Sequence, residues 1–317
     1  MSANQGADTG PELTIILAGG TGVFGRHVTR ALTGAGHRVM SLGRGAGNDI
    51  VADILDRNAL LRAVDGRHAD AVVHAATALR KPPIRHRDMY PTDDLRTAGT
   101  TNLVAAARVV GAHRFVAENM VFGYGYGDLG DRPLTEDAPF GRPHPDPAFD
   151  RHLAGMRAKE DLIFDVPELA GVSLRFGLFY GPGGATEAIL DMLRGRRIPV
   201  IPDDGRVVPW VHLADAADAV LAAVERGRPG AAYNIADGSR VGFNEAMVRT
   251  AAAFGLPRPP RVPGWLFGAV PYARAVMRMN LRVSTERAAR ELGWRPRFRT
   301  LDEGLRAMAA ARVGAAR

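Results

Sequence analysis

The stretch LTIILAGGTGVFGRHV, residues 13–28, decides the fold. It opens with an apolar, β-branched run that predicts a buried strand, and it continues into a predicted helix over about residues 24–33. Gly19, Gly22 and Gly25 stand at the junction with the spacing G-x-x-G-x-x-G. The first glycine permits a tight turn, the second lets the backbone approach a ligand, and the third allows close helix–strand packing. Because the following helix offers free N–H groups to phosphates, this turn predicts a dinucleotide-binding site.

Strands and helices alternate along the first 181 residues. Further strands are predicted in HRVMSLG, DAVVHAAT, HRFVAENMVFG and GVSLRFGLFYG, and helical patterns separate them. This alternation indicates βαβ units with a parallel sheet, and the apolar strands agree because parallel strands are covered on both faces. We therefore predict an α/β fold, with a doubly wound parallel-sheet Rossmann domain and a smaller, mostly helical C-terminal substrate domain.

The domain boundaries follow from where this pattern loosens. We assign residues 13–181 to the Rossmann domain, with 206–235 returning to it, and 182–205 and 236–317 to the substrate-binding domain. Residues 1–12 are polar and are predicted to be a disordered tail rather than a signal peptide. With no long apolar run, we expect a cytoplasmic protein with no membrane partner.

The composition narrows the possible chemistry. The net charge is +7, but arginines and acidic residues are interspersed and only Lys81 and Lys159 are lysines, so we predict no nucleic-acid partner. The chain has no cysteine, which excludes disulfides and thiolate nucleophiles. No His-Glu-x-x-His spacing occurs, so no metal site is predicted.

The end of the second strand bears on the choice of cofactor. An acidic residue there would bind the ribose 2′-hydroxyl of NAD, but the strand ends MSLGR and places Arg44 where a 2′-phosphate would lie. This favours NADP over NAD. Asp53 is a candidate contact for the adenine edge, and the alternative is that it caps the helix that follows.

The chain resembles the extended short-chain dehydrogenase/reductases, the NAD-dependent epimerase/dehydratases. The resemblance rests on GGTGVFGRHV, ADILD, VVHAAT, GTTNLVAAA, LRFGLFYGPG and VPWVHLADAADAV, in this order. It implies NAD(P)-linked chemistry on a small-molecule substrate, such as a sugar or a secondary-metabolite carbonyl, and a homodimer through two long helices. It also implies further cofactor contacts, at Val23, Phe24, Ile54, Ala75, Ala76 and Tyr180.

The catalytic motif departs from this family. The family uses Ser or Thr at the end of the fifth strand, where this chain has Met120 or Asn119, and a Tyr-x-x-x-Lys pair on the next helix. That helix reads FDRHLAGMRAKEDLI, residues 149–163. One register aligns Lys159 with the family lysine and leaves Gly155 at the tyrosine; the other, which we prefer, places His152 at the tyrosine and Met156 at the lysine.

Four residues are candidates for proton transfer or substrate binding. A histidine with an ordinary pKa near 6.5 needs no cationic helper, so His152 is predicted to be the general acid or base. The alternative is a solvated His152 in the first turns of the helix. Lys159 is predicted first as a surface lysine and second as a catalytic or ribose-binding residue. Tyr124 and Asn119, at the end of the fifth strand, are further candidates.

These observations predict an atypical NADP-dependent oxidoreductase, either a reductase or an epimerase, acting on a carbonyl or alcohol of a small intermediate of secondary metabolism. Two alternatives stay open. One is a non-redox acid–base enzyme, such as a dehydratase, cyclase or aldol-type catalyst. The other is a nucleotide-sensing regulator without catalysis.

Overall fold

The computed structural model describes residues 11–79, 81–202 and 205–315, so all but the last two residues of the predicted tail lie outside it. Nine strands are present in this part of the chain. They are β1 (Thr14–Ala18), β2 (Arg38–Gly43), β3 (Ile50–Val51), β4 (Ala71–His74), β5 (Arg114–Met120), β6 (Ala170–Phe176), β7 (Leu178–Tyr180), β8 (Trp210–His212) and β9 (Ala231–Ile235).

Eleven α-helices connect or flank these strands within the described ranges. They are α1 (Val23–Gly34), α2 (Arg57–Val64), α3 (Tyr90–Asp94), α4 (Thr100–Val109), α5 (Pro147–Phe164), α6 (Gly184–Arg194), α7 (Leu213–Arg226), α8 (Phe243–Ala253), α9 (Pro271–Met277), α10 (Glu286–Glu291) and α11 (Leu301–Ala315). A π-helical stretch, Leu95–Gly99, joins α3 to α4 without a break.

Seven strands form one sheet in the order β3-β2-β1-β4-β5-β6-β9, and every pairing is parallel. The order reverses beside β1, so the carboxyl ends of β1 and β4 border the crevice where ligands bind in such sheets. Separate apolar cores cover the two faces of the sheet, one around Val28 and Val220 and the other around Leu60 and Leu103. The predicted doubly wound α/β fold is therefore confirmed.

The last predicted strand of the first domain is in fact two strands. GVSLRFGLFYG breaks at Gly177, where β6 ends, and β7 pairs with β8 in a second, two-stranded sheet. A Cβ atom at Gly177 would lie 2.7 Å from the carbonyl carbon of Pro209, so only glycine permits this close passage of the two chains. Among the described residues, no helix is long and apolar enough to cross a membrane.

Candidate active site

The glycine-rich turn leaves no room for side chains. A Cβ atom on Gly25 would lie 2.1 Å from the carbonyl oxygen of Gly19, and one on Gly19 would lie 2.8 Å from that of Ala75. Gly19 has a φ of 90°, which favours glycine. The turn is thus packed against α1 on one side and against the end of β4 on the other.

Helix α1 begins at Val23 with its first N–H groups available. Its N-cap residue, Gly22, makes no side-chain cap, and the first turn contains no acidic residue. The backbone N–H groups of Val23 and Phe24 would therefore meet a pyrophosphate together with the positive end of the helix dipole. The residues of this turn fit the phosphates of a dinucleotide.

The end of β2 adjoins this turn. Gly19 N donates to Leu42 O at 2.9 Å, and the Arg44 side chain is 69% exposed with Asp53 4.0 Å away. Asp53 Oδ1 accepts from the backbone N–H of Leu55, whereas Asp56 accepts from Ala59 N and caps α2. The alternative that Asp53 caps this helix is therefore wrong.

A chain of short contacts links the turn to α3. Ala75 and Ala76 lie directly against Gly19. The next residue, Thr77, has its Oγ1 3.4 Å from Oγ1 of Thr92, which also accepts from Ala78 N at 3.3 Å. Since Asp93 follows Thr92, this chain of contacts leads from the glycine-rich turn to Asp93.

His152 forms the centre of a buried polar chain. Its Nδ1 lies 2.6 Å from Oδ2 of Asp93, and its Nε2 lies 3.0 Å from Nδ1 of His86. Arg96 donates to the other oxygen of Asp93 at 3.2 Å. The His152 side chain is fully buried, so the alternative of a solvated histidine is wrong. We call this arrangement the Asp93–His152–His86 chain.

Aromatic rings enclose the outer end of this chain. The aromatic cluster consists of His86, Tyr126, Phe149, His152 and Tyr272. The His86 ring lies edge-on to Phe149, with ring centroids 4.5 Å apart, and Tyr126 is 4.7 Å from Phe149. Burial raises the pKa of Tyr272 to about 12, so its hydroxyl stays protonated at neutral pH. The cluster offers an apolar wall with a few polar atoms, as small-molecule sites do.

Lys159 lies on the inner face of α5. It is fully buried, and its Nζ is 3.3 Å from Oε2 of Glu118 at the end of β5. The prediction of a surface lysine is therefore wrong. Burial lowers the pKa of Lys159 to about 8, although Glu118 opposes this shift. A lysine in this state exchanges a proton more readily than an exposed one.

The structure places Asn119 and Tyr124 away from the aromatic cluster. Asn119 Nδ2 donates to Met156 O at 2.9 Å, and its Oδ1 accepts from Met120 N, so both ends of the buried amide are engaged. The Tyr124 hydroxyl donates to Asn234 at 2.8 Å and accepts from Arg175 at 2.9 Å. These bonds join β5 to α5 and the turn after β5 to β6 and β9, and they engage the polar atoms of both side chains.

Three other residues predicted to contact the cofactor, Phe24, Ile54 and Tyr180, pack against or hydrogen-bond to other parts of the chain. Phe24 stacks on Phe179 with centroids 4.9 Å apart. Ile54 is buried, and its carbonyl accepts from an asparagine of α4. The Tyr180 hydroxyl is 3.3 Å from both Asp237 Oδ2 and Thr300 O, so it anchors the start of α11.

The comparisons with known proteins agree with this geometry. The model of the NAD dependent epimerase/dehydratase family matches residues 15–236, which include the glycine-rich turn, α5 and β9.

The chain belongs to the NAD dependent epimerase/dehydratase family.

Relatives place this epimerase/dehydratase-family member among NAD(P)-binding enzymes. A "3-diazoavenalumate denitrifying reductase" of Streptomyces sp is 33% identical, with 92% of this chain and 99% of that protein covered. "Epimerase family protein SDR39U1" of Mus musculus is 26% identical over 94% of this chain and all of that protein. The crystal structure of human SDR39U1 with NADPH superposes with a TM-score of 0.77 at 23% identity, covering 94% of this chain and 99% of that one.

These findings show an atypical family member with a nicotinamide cofactor and an oxidoreductase- or epimerase-like activity. Three residues of the site were missed by sequence reasoning, namely Asp93, His86 and Tyr272. Asp93 lies 59 positions from His152 along the chain and His86 lies 66 positions away. The π-helical stretch beside Asp93, a feature that often marks functional sites, gave no recognisable signal in the sequence.

Proposed function

We propose that this protein is an NADP-dependent reductase of a small aromatic carbonyl compound, in which a histidine-based acid–base group replaces the tyrosine and lysine of the family. The observation that carries the proposal is the 2.6 Å contact between His152 and Asp93 in α5 and α3. In the preferred register, His152 stands at the family's tyrosine position. The site therefore keeps a proton-transfer group where the family has one.

The Asp93 carboxylate gives this histidine a defined role. A buried carboxylate accepts from Nδ1–H and stabilises the imidazolium form by its charge. The guanidinium of Arg96 keeps Asp93 paired when the imidazole is neutral. A histidine so held can accept and release a proton without a cationic lysine beside it. Met156 at the lysine position is consistent with this exchange.

The nearby rings support an aromatic substrate class. Phe149 and Tyr272 are buried, while Tyr126 and His86 are partly exposed. An aromatic compound would stack among these rings in offset or edge-on contacts, each worth roughly 0.5–1.5 kcal/mol beyond area burial. A nucleotide sugar would need more charged partners than this wall provides.

Bound NADPH would supply the hydride, and the chain itself supplies binding and protons. The N–H groups of Val23 and Phe24 would hold its pyrophosphate, and Arg44 would meet its 2′-phosphate. The buried Lys159–Glu118 pair joins α5 to β5. Aromatic side chains exclude water from the substrate, and the Asp93–His152 pair holds the proton that the product alcohol gains.

The experiment is turnover of NADPH, followed by its absorbance, with a panel of aromatic aldehydes and ketones. We expect oxidation of NADPH with at least one aromatic carbonyl and slower oxidation of NADH. Conversion of a substrate with no net change in NADPH would contradict a reductase and favour an epimerase or a non-redox enzyme.

A second candidate function follows from the Streptomyces relative, whose name describes the reductive loss of nitrogen from 3-diazoavenalumate. Here the hydride would replace the diazo group on an aromatic carbon, and N₂ would leave with the electrons of the broken C–N bond. The aromatic cluster fits such a substrate equally well. Release of N₂ with consumption of NADPH from 3-diazoavenalumate, with no turnover of carbonyls, would favour this function over the first.

A further inference from the structure

The fully buried His152 has no ring nitrogen left for a substrate. Nδ1 contacts Asp93, Nε2 contacts His86, and the side chain has no exposed surface. A group that exchanges a proton with a substrate must come within about 2.6–3.2 Å of it. The proton that His152 holds must therefore pass through its outer neighbour, His86.

The contacts fix which nitrogen carries each proton. Because the Asp93 carboxylate accepts a hydrogen bond, Nδ1 of His152 carries the proton and donates it. In the neutral imidazole, Nε2 of His152 is then a hydrogen-bond acceptor. Its partner at 3.0 Å is Nδ1 of His86, which must donate. This arrangement leaves the lone pair of His86 on Nε2. That atom is buried and has no hydrogen-bond partner among the described residues.

An unpartnered buried nitrogen requires an explanation, because leaving it so costs about 1–3 kcal/mol. His86 lies near the rings of Phe149 and Tyr272, with centroids 4.5 and 5.5 Å away, and neither side chain makes a hydrogen bond to Nε2. The side chain as a whole is partly exposed. Nε2 therefore contacts a molecule in the aromatic cluster once one of these rings moves aside.

We infer that His86 is the catalytic acid–base residue that touches the substrate, and that His152 and Asp93 are positioning residues behind it. The inference rests on the proposed function. In reduction, the Nε2–H bond of protonated His86 breaks and its proton forms the O–H bond of the product alcohol, while the carbonyl carbon takes the hydride. In oxidation, the lone pair on Nε2 takes the hydroxyl proton, and the transfer from His86 Nδ1 to His152 Nε2 brings the positive charge beside Asp93.

The ionisable groups around His86 are compatible with proton exchange between its Nε2 and a substrate. Burial and the neighbouring His152 lower the pKa of His86, while Asp146 at the start of α5 raises it. From α9, Tyr272 contributes only a neutral phenol at neutral pH. The neutral form therefore predominates at rest, and the Asp93–His152 pair shares the proton when one is taken up.

The decisive variant is His86→Asn, because the asparagine amide can still donate to His152 yet has no basic nitrogen. We expect kcat to fall about 100-fold or more with KM and NADPH affinity little changed. The matched control is His113→Asn, at the opposite end of the sheet, which we expect to leave kcat unchanged. Imidazole added to a His86→Ala variant should restore part of the lost rate. Unchanged kcat in His86→Asn would overturn the inference.

A second measurement does not depend on turnover. Nitrogen NMR of the wild-type protein labelled at histidine, assigned with the His86→Asn spectrum, reports which ring nitrogens carry protons. We expect both His86 and His152 to be protonated at Nδ1 and His86 to be unprotonated at Nε2. A protonated Nε2 in neutral His86 would contradict the inference even with the activity intact. If no carbonyl is reduced but this protonation pattern is found, the proposed substrate fails and the assignment of His86 stands.

Discussion

The Nδ1 atom of His152 lies 2.6 Å from Oδ2 of Asp93, and the two side chains are 0% and 3% exposed. Removing such a pair from water is unfavourable unless its remaining groups are also paired. Arg96 supplies the second partner of Asp93, and His86 supplies that of His152. Among the described residues, two buried nitrogens of this arrangement have no hydrogen-bond partner: Nε of Arg96 and the outermost one, Nε2 of His86.

Asp93→Asn should shift the pH dependence of reduction. The amide still accepts from His152, but it no longer stabilises a positive charge on the histidines. The rate of reduction depends on the protonated chain and falls as pH rises, so its high-pH limb should move to lower pH. The measurement is kcat against pH for both proteins. Asp94→Asn is the control, since Asp94 is 54% exposed and pairs with Arg151 at the surface; an equal shift there would contradict the prediction.

Gly25→Ala should disrupt the phosphate-binding turn. The new Cβ would lie 2.1 Å from Gly19 O, so the helix and the turn must separate. We expect a loss of about 1–3 kcal/mol in the free energy of unfolding and at least a tenfold weaker affinity for NADPH. Gly34→Ala, near the end of the same helix, meets no atom within 4 Å and should stabilise the fold by about 0.4–1 kcal/mol. Calorimetric titration and urea unfolding measure both effects.

Arg44→Ala should change cofactor preference rather than cofactor binding in general. The loss of an exposed, charge-assisted contact to the 2′-phosphate should weaken NADPH binding about tenfold, or about 1.4 kcal/mol, and leave NADH binding unchanged. Arg38→Ala, at the other end of β2, is the control. An equal loss for NADPH and NADH, or none for either, would show that Arg44 does not contact the 2′-phosphate.

Lys159 should make stability depend on pH in the alkaline range. Its pKa is lowered from 10.5 to about 8 by burial, so between these values the unfolded chain binds more protons than the folded one. The contribution of Lys159 to the free energy of unfolding must therefore rise as pH increases from about 8 to 10.5, and it is lost as pH falls through 8. We expect this slope to vanish in Lys159→Met when urea unfolding is followed across that range. Lys81→Met, which removes an exposed lysine, should retain the slope.

The fold was predictable because its signals are local. Alternating apolar strands and helices determine a parallel sheet, and the glycine spacing determines where phosphates bind. The break between β6 and β7 at Gly177 was not predictable, because this glycine lies in a continuous apolar run. Glycine is required there because the backbone of Pro209, 32 positions later in the chain, passes close to it.

The sequence by itself determined the doubly wound sheet, the phosphate-binding turn and the absence of the Tyr-x-x-x-Lys motif. Each of these follows from patterns among residues that are close together in the chain. Only the tertiary structure decided that Lys159 is buried and that His86 and Asp93 contact His152. It also decided that the side chains of Tyr124 and Asn119 are engaged in hydrogen bonds with other parts of the fold. The physical reason is that hydrogen bonds across elements depend on which faces the packed sheet and helices bring together, and that arrangement is set by burial of the whole core rather than by any short motif.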